Sequence, residues 1–338
     1  MRRAMAQLTD PEKGVLARPE DLDAVGFKTV HAKGIAGARE LTPEVLKAME
    51  AYNLVAPLHN PLYLKAIHFF KEALPQTRMF GLFEPTFHQT RPAHEALYAV
   101  PRDWETRYGI KKYGFHGASH WFISERAPQV IGRPAKDLKI ISCHLGGSSS
   151  ITAIAGGRSV CHSMGFSPQS GLPQSARCGD LDVYAVLYLI ETGQMTASDI
   201  RQVLCDKSGL LGLSRGLSGD VPILEKAEAE GNPDAALALD AFACEIQKWI
   251  GSCFAVMGGA DAVVFTGGIG ERGVSMRRRI CRPLGALGME LDETRNAAVV
   301  GAEGVISTAA SKVGLWVIPT NEELIVAREI CNAIKTAE

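Results

Sequence analysis

The stretch from Asp261 to Arg272, DAVVFTGGIGER, runs from an aspartate through four apolar residues to a glycine cluster. This order predicts a buried strand whose end presents its backbone to an anionic ligand. Gly267, Gly268 and Gly270 allow positive φ and leave no Cβ between N–H groups and phosphate oxygens. A helix that begins at Ser275 would add the positive end of its dipole. The stretch therefore predicts an α/β fold with a phosphate site at a strand end.

The same glycines also fit a dinucleotide-binding dehydrogenase. Gly268, Gly270 and Gly273 form the pattern G-x-G-x-x-G, and Asp292 follows about twenty residues later. In that class the pattern belongs to a first strand–helix turn, whereas here it lies in the last third of the chain. The dehydrogenase is therefore the weaker alternative.

Bulk composition indicates a folded protein with no general affinity for nucleic acid. The chain has 338 residues, 46% hydrophobic and 22% charged, with a formal charge of −1, so two domains with substantial cores are expected. No overall positive field gathers nucleic acid. The eight cysteines lie far apart without a C-x-x-C pair, which favours reduced core thiols over disulfides or zinc.

Neither a membrane helix nor a secretory signal is predicted. Glycines and Asp261 interrupt the longest apolar stretch, residues 249–265. At the amino terminus, acidic residues precede any apolar run. We therefore expect a cytoplasmic protein without a membrane partner.

Strands and helices alternate along the chain, which predicts α/β layers. The alternating and turn patterns predict short strands and a hairpin at Phe80–Phe83, Lys139–Cys143, Ser150–Ile154 and Arg158–Cys161. Apolar residues at three-to-four spacing, or a capping residue before proline, predict helices over Leu41–Tyr52 and Asp234–Met257.

Nine short motifs occur in order: KTVH (Lys28–His31), PLHN (Pro57–Asn60), FEPTFHQT (Phe83–Thr90), YGFHGASH (Tyr113–His120), HLGGS (His144–Ser148), SMGFSP (Ser163–Pro168), ARCGDLD (Ala176–Asp182), GIGER (Gly268–Arg272) and PTNEE (Pro319–Glu323). Together they closely resemble the acetate kinases of the acetate and sugar kinase, heat-shock protein and actin superfamily. The resemblance extends from about Thr9 to the carboxyl terminus.

The resemblance implies an α/β, two-domain actin-like ATPase fold, which is ribonuclease H-like. It implies an N-terminal domain of residues 1–86 completed by a C-terminal helix at 322–338, and a nucleotide-binding and dimerisation domain of residues 87–321. The family's opening strand, asparagine–serine turn and lysine have no counterpart here. We therefore expect a truncated N-terminal domain that exposes a sheet edge.

Acetate kinases reversibly transfer the γ-phosphoryl group of ATP to a carboxylate with Mg²⁺, and the resemblance implies a homodimer. It assigns charge stabilisation in the transition state to Arg177 and His116, orientation of the reaction near magnesium to Glu84, and magnesium binding to Glu322.

The residues themselves leave alternatives open for three of these assignments. Arg177 could form a surface ion pair with Asp180 or Asp182, and His116 could be a core histidine bonded to backbone. Glu322 could simply complement the N-terminal dipole of the last helix.

The resemblance also assigns residues to the two substrates. For the carboxylate and its acyl group they are Lys28, Val30, Leu58, His59, Phe115 and Pro168. For the nucleotide they are His144, Leu145, Gly146, Gly147, Ser148, Asp220, Val221, Pro222, Gly268, Ile269, Gly270, Glu271 and Arg272.

Several of these positions depart from the family pattern. Lys28 replaces an arginine, Glu84 replaces an aspartate, and Val221-Pro222 replaces an aromatic residue and an arginine near the adenine. A catalytically weak or inactive relative that acts as a binding or dimerisation module is therefore one alternative. A propionate or butyrate kinase is the other.

Overall fold

Two mixed α/β units make up the chain in a computed structural model, which describes residues 6–337. The first unit comprises residues 6–86 and 322–337, and the second is Phe87–Asn321. The strands are β1 (Ala24–Thr29), β2 (Ala38–Glu40), β3 (Arg78–Phe83), β4 (Lys139–His144), β5 (Ser150–Ala155), β6 (Arg158–His162), β7 (Ala262–Thr266), β8 (Gly304–Val305) and β9 (Gly314–Val317).

The α-helices between residue 19 and residue 337 are α1 (Pro43–Glu50), α2 (Asn60–Ala73), α3 (Ala93–Ala96), α4 (Asp103–Tyr108), α5 (Gly117–Ile131), α6 (Val183–Glu191), α7 (Ala197–Asp206), α8 (Gly209–Leu213), α9 (Val221–Ala229), α10 (Pro233–Met257), α11 (Gly267–Arg272), α12 (Val274–Cys281), α13 (Glu293–Ala298) and α14 (Glu322–Ala337). Short 3-10 turns occupy Pro19–Asp21, Glu84–Thr90, Ala135–Asp137 and Leu284–Leu287. Among the described residues, no helix is long and apolar enough to cross a membrane.

The first unit is built on a three-stranded sheet of order β1-β3-β2. Strands β1 and β3 are parallel, with Thr29 opposite Phe83, so their carboxyl ends lie side by side. Alternation along β1 buries Phe27 and Thr29 and turns Lys28 to the opposite face. Glu84 follows β3 directly, so Lys28 and Glu84 share the carboxyl end of the sheet.

The second unit is built on a six-stranded mixed sheet of order β6-β5-β4-β7-β9-β8. Strands β4, β7 and β9 are parallel, so the segments that follow β4 and β7 emerge at the same edge. The core includes Phe265 of β7 together with Phe242 and Ile246 of α10. This edge carries the HLGGS and GIGER motifs.

The predicted strands, hairpin and long helix are confirmed, with bounds shifted by a few residues. The hairpin turns at Gly156 and Gly157, which have φ of 59° and 77°. Helix α10 starts at Pro233 and is capped by the Asn232 side chain. Helix α1 has the expected Thr42 cap but spans only Pro43–Glu50.

Candidate active site

Lys28, Glu84 and Glu322 form a lysine–carboxylate cluster within the first unit. The Lys28 ammonium donates a hydrogen bond to Glu322 and lies 3.5 Å from Glu84 Oε1. Burial alone would lower the pKa of Lys28, but the two carboxylates raise it above its ordinary value. Lys28 is therefore held as a cation between two anions.

The cluster has the oxygen donors that a magnesium ion needs. Mg²⁺ is usually held by one or two protein carboxylates, with waters and substrate phosphates completing its shell. Glu84 is buried, and Glu322 Oε1 is a buried oxygen without a hydrogen-bond partner in the described structure. Among the described residues, no group of three or more His, Cys, Asp or Glu side chains could hold a metal alone. The residues present fit magnesium bound jointly with phosphate.

The other predicted substrate residues of the first unit lie at two places. Val30 follows β1 and is buried, whereas Leu58 and His59 precede α2 and Leu58 is 44% exposed. Glu322 begins α14, so its predicted place in the first turn of the last helix is confirmed.

In the second unit, the HLGGS and GIGER segments contact each other through backbone. Leu145 donates its N–H to Thr266, and its carbonyl accepts from Ile269 and Gly270 at 2.8 and 3.2 Å. A side chain at Gly267 would meet the Leu145 carbonyl oxygen at 2.7 Å. The close approach explains why glycine is needed at Gly267, which has φ of 74°.

The helix predicted from Ser275 is present as α12, which begins at Val274, but the glycines before it do not form an open loop. The glycines themselves open helix α11, and only Gly267 of the three has positive φ. The N–H groups of Ile269 and Gly270 are used by Leu145, and Gly267 N–H donates to Glu271 Oε1. The Gly268 position is exposed and has open space beside it, so its backbone is accessible from solvent.

The side chains of Glu271 and Arg272 differ in their contacts and in their exposure to solvent. The same Glu271 oxygen also accepts the Thr320 N–H, so this carboxylate holds protein backbone. Arg272 is exposed at the end of α11.

His116 is fixed at the start of α5 by its neighbours. Its backbone is left-handed, with φ of 53°, a strained conformation for a residue with a side chain. Its Nδ1 lies 2.8 Å from Ser150 Oγ, and its ring stacks on His144 with centroids 4.3 Å apart. His144 Nδ1 lies 2.8 Å from Ser119 Oγ. The two predicted histidines are therefore adjacent.

Three further histidines support this pair, although sequence reasoning gave them no role. Nε2 of His120 lies 2.9 Å from Ser150 Oγ, so His120 and His116 share that serine. His162 Nε2 accepts the Phe115 N–H, and His88 Nε2 lies 2.9 Å from the Phe115 carbonyl oxygen. All three occur in or beside the nine motifs, and that proximity was the available signal.

Arg177 is buried and lies beside Pro168. Its guanidinium donates to the Pro168 carbonyl at 3.2 Å, and the Gln174 side chain donates to the same oxygen. The alternative surface ion pair is wrong, because Asp180 accepts from Gly171 N–H and Asp182 caps α6. Burial lowers the pKa of Arg177 to about 10, so it stays charged at neutral pH. No carboxylate in the described residues pairs with it.

Ser175 connects Arg177 to the HLGGS segment. Ser175 N–H donates to the Gly147 carbonyl at 3.1 Å, and the open position of Gly147 faces the Ser175 side chain. Gly146 and Ser148 flank this contact in the same short loop. The loop after β4 and the segment of Arg177 are therefore held together.

The predicted adenine segment starts α9. Asp220 is the cap position of that helix, and Pro222 is exposed. Val221 is 3% exposed and belongs to the core, so its side chain is not available to a base. The assignment of Val221 to the nucleotide stays a prediction, and it leaves only the backbone of Val221 for such a contact.

The chain is similar to known proteins over nearly its whole length. A sequence model of the acetokinase family matches residues 2–328. The acetate kinase of Methanosarcina thermophila is 44% identical over 335 residues, covering 97% of this chain and 80% of that protein. The acetate kinase of Dictyoglomus thermophilum is 43% identical over 333 residues, covering 97% and 82%.

Solved structures also match this chain over nearly its whole length. The crystal structure of Porphyromonas gingivalis acetate kinase matches with a TM-score of 0.87 and 36% identity, covering 98% of this chain and 84% of that one. A propionate kinase from Francisella tularensis matches with a TM-score of 0.86 and 33% identity, covering 93% and 80%. These likenesses confirm the resemblance carried by the nine motifs and the actin-like ATPase fold that it implies. The chain belongs to the acetokinase family.

Proposed function

We propose that the chain transfers the γ-phosphoryl group of ATP to acetate, giving acetyl phosphate and ADP, in a reversible reaction assisted by Mg²⁺. An acetate oxygen bonds to the γ-phosphorus while the bond from that phosphorus to the departing ADP oxygen breaks. The observation that carries the proposal is Arg177, a buried guanidinium without a carboxylate partner in the described residues. A buried cation of this kind requires an anion.

Arg177 and His116 supply charge stabilisation in this proposal. Phosphoryl transfer depends mainly on positioning the reactants and on neutralising charge at the equatorial oxygens. The planar guanidinium of Arg177 forms two parallel hydrogen bonds to phosphoryl oxygens. Ser150 and the stacked His144 hold the His116 ring in one orientation, which preorganises it for the same task.

The lysine–carboxylate cluster and the two segments at the sheet edge bind the remaining parts of the substrates. Glu322 and Glu84 would hold Mg²⁺, which supplies positive charge to the phosphates of ATP. Gly268 gives the phosphates access to backbone, and Lys28 attracts the acetate carboxylate. In the first unit, Val30 and Leu58 supply apolar surface for a short acyl group.

A propionate kinase is the second candidate, favoured by the structural match to the Francisella tularensis enzyme. The two substrates differ by one methylene, which apolar pockets discriminate by about tenfold to 200-fold. The acyl phosphate formed from ATP, Mg²⁺ and either acid is trapped as its hydroxamate. Turnover with acetate at least equal to that with propionate is expected. Greater turnover with propionate would favour the second candidate, and no turnover with either would contradict the proposal.

We further propose that the chain forms a homodimer through its second unit. Helix α6 and the segment just before it carry five exposed large apolar side chains, and Tyr184 is 74% exposed. They are Leu181, Val183, Tyr184, Leu187 and Tyr188. Monomeric soluble proteins rarely expose contiguous apolar patches beyond a few hundred Å². A second copy of the same helix covers such a patch without needing opposite charge.

A further inference from the structure

The lysine–carboxylate cluster already contains a cation where a metal ion is required. The Lys28 ammonium contacts both Glu84 and Glu322, and these are the two carboxylates that fit magnesium. With one ammonium and two carboxylates, the cluster keeps a single net negative charge. A net negative charge still attracts a divalent cation, but the Lys28 ammonium repels that cation.

Two cations cannot share these carboxylates at low cost. Like charges a few ångströms apart repel strongly where water is partly excluded, and Glu84 is only 4% exposed. A divalent ion that reaches the carboxylates therefore repels the Lys28 ammonium. The ion would also bind the Glu322 carboxylate, which now accepts a hydrogen bond from Lys28.

Lys28 has room to leave the carboxylates without disturbing the sheet. A cavity of about 630 Å³ in the first unit is lined by Lys28, Tyr63 and Glu322, and by Gly26 on the same face of β1. The Lys28 side chain is 32% exposed, in contrast to the buried Phe27 and Thr29 on either side. Rotation of a flexible four-carbon side chain into this space requires no change in β1.

We propose that Lys28 is the resident counter-cation of Glu84 and Glu322, that a divalent metal ion displaces it, and that the released ammonium then binds the substrate carboxylate. The second step rests on the proposed function, whereas the first rests only on the cluster. Metal and carboxylate binding are then positively coupled through one side chain. By linkage, each ligand increases the affinity for the other by the same factor.

Mn²⁺ titrated alone into the protein and followed by electron paramagnetic resonance tests the first step. Lys28→Met removes the competing cation, so we expect Mn²⁺ to bind about tenfold more tightly or better than to the wild type. Lys28→Arg keeps a competing cation and should not gain affinity. Lys65→Met is the matched control, since it removes an exposed lysine of α2 in the same unit. Equal or weaker Mn²⁺ binding to Lys28→Met would overturn the proposal.

The same titration repeated with sodium acetate in place of sodium chloride tests the second step. Acetate should tighten Mn²⁺ binding to the wild type by about threefold or more and should leave Lys28→Met unchanged. Acetate that has no effect on the wild type, or an equal effect on both proteins, would overturn the coupling. Neither titration requires turnover. An inactive protein that shows both effects contradicts the proposed function alone, and an active one that shows neither contradicts this inference alone.

Removal of Lys28 takes a cation away from the buried Glu84 carboxylate, so a loss of stability is one expected effect of the substitution. Thermal melting with and without Mn²⁺ then compares Mn²⁺ affinity between the variant and the wild type, because an ion that binds the folded state raises Tm according to its affinity. Mn²⁺ should raise the Tm of Lys28→Met more than that of the wild type. An equal or smaller rise would overturn the proposal.

Discussion

Three kinds of ionisable side chain are buried or partly buried in this chain, and they differ in charge or in the partners that the charge has. Arg177 is a buried cation that hydrogen-bonds only to neutral oxygen in the described structure. Lys28 is a cation matched by two carboxylates. The buried His88, His120 and His162 are kept neutral, because burial lowers the pKa of His88 to about 3 and lowers those of His120 and His162 well below normal. Arg177 and Lys28 are therefore the two of these groups that carry a charge with which to bind an anionic substrate.

The buried histidines predict a loss of stability in mild acid. A histidine whose folded-state pKa is depressed contributes stability above its unfolded pKa of about 6.5, and that stability is lost as the pH falls toward the folded value. For His88 this window is from about pH 6.5 to about pH 3. Each such histidine costs up to about 1.4 kcal/mol per pH unit.

Urea unfolding at about pH 7 and about pH 5.5 measures this effect, which should amount to several kcal/mol for the three histidines together. His94→Gln removes an exposed histidine of α3 and should leave the pH dependence unchanged. A free energy of unfolding that is the same at both pH values would contradict the assigned neutral state.

Helix α11 depends on contacts outside itself. Its first turn is fastened by the Leu145 carbonyl and by the Glu271 side chain. Arg277, which is fully buried on the next helix, donates to the Gly270 carbonyl at 2.8 Å. The short helix is therefore a rigid support for the Gly268 position, and tertiary contacts hold it there.

Two neighbouring glycines of α11 predict opposite effects. Gly267→Ala places a methyl group against the Leu145 carbonyl in a left-handed conformation, and should cost about 2 kcal/mol or more of stability. Gly268→Ala has open space and should change stability by less than about 0.5 kcal/mol. It should nevertheless weaken ATP binding about tenfold, because the methyl group obstructs approach to the backbone. Unchanged ATP affinity in Gly268→Ala would remove this position from the nucleotide site.

The sequence predicted those elements whose pattern is local. Strands β4 to β6 and helix α10 follow from alternation, glycine turns and three-to-four apolar spacing. It did not predict that the glycines of α11 are helical, because glycine disfavours helix locally and the stabilising partners lie elsewhere in the chain. Likewise, the Arg177 contact with the Pro168 carbonyl depends on chain folding that no local pattern specifies.

For the molecule as a whole, each unit carries a different part of the proposed chemistry. The first contains the lysine–carboxylate cluster, and the second contains the HLGGS and GIGER segments, His116 and Arg177. The exposed apolar helix α6 also belongs to the second unit. The proposed nucleotide segments and the proposed dimer contact therefore belong to the same unit.

A charge placed on α6 should dissociate the proposed dimer. Leu187→Asp buries an unpaired carboxylate at the contact, so sedimentation equilibrium should show about a hundredfold weaker association than for the wild type. Leu237→Asp is the matched control, because Leu237 is an exposed leucine of α10, 57% exposed. Dissociation by Leu237→Asp alone would move the contact to α10. A wild type that sediments as a monomer would contradict dimerisation altogether.

The most direct test of phosphoryl transfer is the rate of acetyl phosphate formation by the wild type, Arg177→Ala and Arg201→Ala, with ATP affinity measured for each. Arg177 meets charge that develops in the transition state, so Arg177→Ala should lower kcat about 10³-fold and change ATP affinity by less than about threefold. Arg177→Lys should restore little, because an ammonium cannot form the paired hydrogen bonds of a guanidinium. Arg201→Ala, which alters an exposed arginine of α7, should behave as the wild type. Equal turnover by the wild type and Arg177→Ala would contradict the account.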